Sequence, residues 1–140
     1  MATEINHWST ATQMAAAVAA KEISARELLE LHLDRIETVN PQVNALVSID
    51  PERARQSAAE ADARTASGQP LGALHGVPYA VKDTHEVANW RTTYGSPVFA
   101  DNIAAHDELV VERVRNAGAV IVAKTNVPEF ASGSHTFNPI

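Results

Sequence analysis

The apolar positions in the first half of the chain recur at helical spacing. Thr10 and Gln13 have the spacing of a capping box, and Met14 and Val18 then fall on one face. Ser24 and Glu27 make a second box, with Ile23 and Leu28 at the positions of a hydrophobic staple. Leu29, Leu33 and Ile36 continue that face, and Pro41 is expected to close the helix. The run "VNALVSI", Val43–Ile49, is dense in β-branched and apolar residues and predicts a short strand. Asp50 before Pro51 reads as an N-cap followed by proline at the first helical position, opening an alanine-rich helix that runs towards Ser67-Gly68. The small, apolar faces of these helices are suited to packing.

The second half changes character. "GQPLGALHG" is a loop with three glycines and a proline, and "VPYAVK" predicts a strand. The segment "DTHEVANWRTTYGSPVFADNIAAH" is long, polar and almost without periodicity, which in a domain of this size points to function. Asp107 is expected to open a helix that carries Val110, Val111 and Val114 on one face, with Gly118 at C′. "AVIVAKT" reads as a strand buried on both faces of a parallel sheet. Strand, excursion, helix and strand together predict a βαβ crossover. Only about three strands are readable, too few to cover such a sheet. The chain is therefore expected to be the first part of a larger domain.

Composition narrows the classes. A chain of 140 residues, 45% hydrophobic, can bury a core. Its net charge of -6 and scattered basic residues argue against nucleic-acid binding. Without cysteine, disulfides and thiol catalysis are excluded. "MATEINHW" has neither a basic n-region nor an apolar h-region, and no apolar run approaches a membrane span. A cytoplasmic setting is the expectation.

The candidate chemistry centres on lysine. Strand alternation in "VPYAVK" places Val77, Tyr79 and Val81 on one face and Pro78, Ala80 and Lys82 on the other. The small residues beside Lys82 leave room for another group to approach it. A lysine held in an apolar site loses solvation, which favours a neutral amine able to act as a base. Its local context alone favours a strand-end lysine reaching into water. "GAVIVAKT", ending at Lys124 and Thr125, has the length of a phosphate-binding loop, but Ala123 replaces the second glycine and the interior is strand-like, so Lys124 is expected to be structural or to support a site from behind. His85-Glu86 starts like a zinc-protease motif, but Asn89 stands where the second histidine is required, so no metal is expected. "SGSHT", Ser132–Thr136, lacks the glycine placement of a nucleophile elbow.

Several segments in order resemble the amidase signature family: "GALHGVPYAVKD", "TTYGS" at Thr92–Ser96, and "VRNAGAVIVAKTNVPEF" at Val114–Phe130. The N-terminal "SARELLELHLDRIETVNPQVNAL" is similar to that family's opening. The resemblance covers essentially the whole chain. It implies an α/β fold in which N-terminal helices precede the start of a mixed, largely parallel sheet covered by helices. Residues 1–140 would be the N-terminal part of a single amidase domain. It implies amide hydrolysis by a Ser–Ser–Lys triad that uses no metal and no organic cofactor, with Lys82 matching the family's lysine. Ala131, Ser132 and Gly133 would lie near the acyl pocket. The family's paired serines sit in a "GGSSGG"-type segment absent from this sequence, so these 140 residues are expected to be inactive alone. The implied partner is a small-molecule amide, with a second copy or a complementing chain over the exposed sheet. Two alternatives are a non-catalytic binding or scaffolding protein and an amidotransferase A-type subunit, although "GSHTFNPI" is more similar to free-standing acylamide amidases.

Overall fold

In the computed structural model, which describes residues 4–140, four helices flank a three-stranded sheet. The first three residues of the opening stretch lie outside the described residues. Helix α1, Ala11–Ala19, starts at a complete Thr10–Gln13 capping box, and α2, Ala25–Val43, at a complete Ser24–Glu27 box. Each box satisfies helix N–H groups that would otherwise lack a partner, typically worth ~1 kcal/mol. The two remaining N–H groups at the start of α2, those of Ala25 and Arg26, donate to Asp62, which projects from α3. Helix α3, Pro51–Ala66, is capped by Asp50, with Pro51 in its first turn.

Pro41 does not close α2. The helix runs on to Val43, and strand β1 is only Leu46–Ile49. The proline removes one ladder bond, the one its own N–H would make to the carbonyl four residues before it, and the helix continues past it. The chain turns instead at Asn44, whose left-handed backbone donates its N–H to Asn40 O at 2.7 Å. Asn40 then clamps the start of β1, its side chain bonding both the N–H and the carbonyl of Leu46.

Strand β2, Pro78–Lys82, and strand β3, Val120–Thr125, are parallel and joined through helix α4, Leu109–Asn116, which makes the expected crossover. Strand β1 pairs antiparallel with β3, so the sheet is mixed and has the order β1-β3-β2. The central strand is buried from Val120 to Lys124. Its Val120 and Val122 join a cluster with Met14, Val18, Leu28, Leu29 and the alanines of α3. Ile121 joins a second cluster with Val81, Val87, Trp90 and Val111.

Two local expectations are corrected. Val77 lies in the first cluster and Val81 in the second, so they do not share a face. A register shift between Tyr79 and Ala80 interrupts the alternation. Asp107 does not cap α4, because the residue at the N-cap is Glu108. Asp107 instead accepts from the Ala88 N–H at 2.7 Å and pairs with Arg115. It thus fastens the excursion between β2 and α4 onto the helix. Arg53 of α3 reaches the same excursion, donating to the Ala88 and Asn89 carbonyls and lying over the Trp90 ring. Gly118 stands at C′ of α4 with φ +92°, and a Cβ there would come within 2.9 Å of His75 Cα.

Glu30 of α2 bridges to Arg55 of α3 and Arg26 of its own helix. The hydrogen bonds from Arg55 and then Arg26 hold its carboxyl at about 2. A carboxyl lowered in the folded state stabilises above its unfolded pKa of ~4.3, and that stability is lost as pH falls towards the folded value. Glu30 is partly exposed, so solvent screening keeps the effect below ~1 kcal/mol. Glu30→Gln is expected to melt below the wild type at pH 7, with the gap closing between about pH 5 and pH 2. A gap that is the same at both ends in thermal melts would remove the pairing from the account.

Candidate active site

The two lysines at the strand ends have opposite environments. Lys124, on the central strand, is fully buried, whereas Lys82, on a strand paired on one side, is exposed. Position in the sheet decides this. A central strand has neighbours on both sides, and Lys124 is in register with Ser48 of β1 and Val81 of β2.

Lys124 is held by groups from the stretch that follows β2. Its Nζ donates to Thr92 Oγ1 at 2.7 Å and lies 3.0 Å from Asp83 Oδ1. Asp83 is itself 2% exposed. Its Oδ2 accepts from the Thr93 N–H at 3.0 Å and the Thr93 hydroxyl at 2.5 Å. Oδ1 receives no well-directed hydrogen bond, so its satisfaction is the ionic contact with Lys124. Burial pushes the Lys124 ammonium down, and Asp83 opposes that shift. The pair's geometry supports an ionic state, since the Asp83 carboxylate meets the ammonium and both Thr93 donors. Lys124 is thus buried and committed to Asp83 and Thr92.

Lys82 carries the side chain of its dipeptide that faces outward. The Asp83 N–H donates to Thr125 O at 3.2 Å, and the His85 N–H donates to Lys82 O at 3.0 Å, so the backbone around it is fixed. The side chain borders a cleft of about 270 Å³ shared with Tyr79, His85, Val110, Val114 and Asn126. No carboxylate among the described residues lies within ion-pairing distance of its ammonium. His85 points to Glu108 at 3.0 Å, and Glu86 accepts from the Tyr94 hydroxyl. Burial and then Glu86 raise the Tyr94 phenol.

Ala131, Ser132 and Gly133 are exposed, and none of them borders the cleft beside Lys82. Ala131 ends a short turn, Glu129–Ala131, in which it and Phe130 have positive φ, and Ser132 and Gly133 follow it. The turn is tied to "TTYGS". Phe130 N–H donates to Tyr94 O at 2.8 Å, and Ser96 Oγ donates to Glu129 Oε1 at 2.7 Å. Gly95 permits the approach: a Cβ there would come 2.8 Å from Val127 O. Among the described residues no three acidic or histidine side chains are placed together to hold an ion.

A family model described as Amidase matches residues 27–140. The chain belongs to the amidase family. An acylamidase from Rhodococcus erythropolis is 42% identical over 137 residues, covering 95% of this chain and 29% of the relative. The A-type subunit of a glutamyl-tRNA(Gln) amidotransferase, from Acidothermus cellulolyticus, is 46% identical over 129 residues, covering 92% and 26%. Among solved structures, a bacterial aryl acylamidase of the amidase signature family superposes with TM-score 0.84 at 30% identity, covering 89% of this chain and 26% of that one. A substrate complex of 6-aminohexanoate cyclic dimer hydrolase gives TM-score 0.83 at 32% identity, covering 96% and 27%. The chain spans between a quarter and a third of these relatives' length. The α/β fold is theirs.

Sequence reasoning missed the network of Asp83, Thr92, Thr93 and Lys124. Its one sequence signal is a lysine inside an apolar strand with an aspartate at the end of another. Lys124→Met alone leaves Asp83 buried and unpaired, and should cost about 3–5 kcal/mol in urea unfolding. Asp83→Asn/Lys124→Met should recover most of that loss. A double variant no more stable than Lys124→Met would mean that the two charges do not compensate each other.

Proposed function

We propose that the protein hydrolyses a carbon–nitrogen bond of a small amide, with Lys82 as the proton acceptor of a serine–serine–lysine relay. The observation that carries this is the contrast between the two lysines. Lys124 is committed to Asp83 and Thr92, whereas Lys82 borders an open cleft on an anchored backbone. A base must be free to take a proton and still be held in place. Membership of the amidase family supplies the reaction class.

In the relay, Lys82 takes a proton from a bridging serine, which takes one from the nucleophilic serine. The nucleophile attacks the amide carbonyl, and backbone N–H groups stabilise the oxyanion. The leaving amine is protonated through the same relay, and water resolves the acyl-enzyme. The paired serines come from a glycine- and serine-rich segment outside these 140 residues. Residues 1–140 form the N-terminal part of one amidase domain, which a second copy or a complementing chain covers at the sheet. Ala131, Ser132 and Gly133 border the acyl group, a reading supported by the ties from their turn to "TTYGS". The setting is cytoplasmic. Among the described residues, no helix is long and apolar enough to cross a membrane.

A role within an amidotransferase complex is the second reading, favoured by the 46% identity to one such A-type chain. It predicts glutamine hydrolysis that depends on partner chains.

Lys82→Ala in the full-length protein is expected to lower acylamide turnover by about 10²–10⁴-fold, the usual contribution of a general base. Its melting temperature should stay close to the wild type, because the Lys82 side chain is exposed. Turnover at the wild-type rate would refute the role.

A further inference from the structure

We infer that Thr93 is a positioning residue for Lys82, acting through Asp83; this rests on the reading of Lys82 as the base. Several contacts define the arrangement. Thr93 Oγ1 donates to Asp83 Oδ2 at 2.5 Å and accepts from the Gly95 N–H at 3.1 Å. The Thr93 N–H donates to the same carboxylate oxygen. The Tyr94 N–H donates back to the Asp83 carbonyl at 3.1 Å. The residue directly after Lys82 is therefore gripped by its side chain and its carbonyl from one loop, and by its N–H from Thr125 of β3.

The geometry separates fixing from reacting. Asp83 and Thr93 are buried, 2% and 7% exposed, and their side chains are already committed to each other. Lys82 is exposed, and its side chain is free to meet a serine hydroxyl while the peptide on either side of it cannot drift. Catalytic groups are sensitive to displacements of about 1 Å, which can cost ~10²-fold in rate. Of the groups holding Asp83, Lys124 supplies charge and Thr93 supplies direction. An ionic contact tolerates rotation of the carboxylate, whereas two hydrogen bonds to Oδ2 from one residue do not. The Thr93 hydroxyl, joining Asp83 to Gly95, also fixes the loop whose Ser96 and Tyr94 hold the Glu129–Ala131 turn.

The test compares Thr93→Val, which exchanges the hydroxyl for a methyl of similar size, with Thr93→Ser, which keeps the hydroxyl. Both are made in the full-length protein and assayed with an acylamide below their melting temperatures. Thr93→Val is expected to lower kcat at least tenfold with KM within twofold of the wild type, and Thr93→Ser to restore kcat to within about threefold. A folded Thr93→Val with wild-type kcat would overturn the inference. So would equal losses in Val and Ser, because the hydroxyl would then not be the active element. Should Thr93→Val fail to fold, Thr93→Ala takes its place under the same criteria. If neither folds while Thr93→Ser is normal, Thr93 is a fold determinant and the inference is overturned. The reading beneath it is judged separately by Lys82→Ala: an active Lys82→Ala removes the base, whereas an inactive Lys82→Ala with a normal Thr93→Val removes only the positioning role.

Discussion

A single buried ion pair ties the central strand to the loop on which the candidate site depends. Lys124 brings a full charge into the middle of the sheet, and Asp83 neutralises it. Desolvating two charges is costly, so such a pair persists where its geometry is complete. Here Thr92 completes the lysine and Thr93 the aspartate. The consequence is mechanical. An otherwise irregular excursion is fastened to the most deeply buried strand, and Lys82 inherits that rigidity through its neighbour.

The same pattern of contacts runs outward. Ser96 and Tyr94 extend the anchored loop to the Glu129–Ala131 turn, while Asp107, Arg53 and Trp90 fasten the Ala88–Trp90 stretch of the excursion to the start of α4, to α3 and to β1. Long loops in compact domains are ordered only when such partners exist. These partners come from helices and sheet alike. The relatives share this arrangement of elements over nearly all of this chain and extend well beyond it.

Much of this was readable from the sequence because it is local. Both capping boxes, the Asp50-Pro51 start and the Gly118 stop follow from residues a few positions apart, and the crossover from the order of its elements. What was not readable is set by neighbours distant in the chain. Lys82 and Lys124 both end apolar runs, and no local pattern says which strand is central. The shift at Tyr79–Ala80 parts Val77 from Val81 without any glycine to announce it. Pro41 stays helical because Asn44, three residues later, supplies the turn. Thr93 meets Asp83 across ten positions of aperiodic chain. Lys82 was singled out as a base by the family resemblance alone, and its exposed place beside a cleft is visible only in the fold.

Native-state hydrogen exchange tests the central claim, that the buried pair makes the Thr93–Tyr94 loop part of the core. The Thr93 and Tyr94 amides, which donate to Asp83, are expected to open with a free energy within about 1 kcal/mol of the β3 amides, because both are released only by global unfolding. Exchange at Thr93 and Tyr94 by local fluctuation, several kcal/mol below β3, would contradict the account.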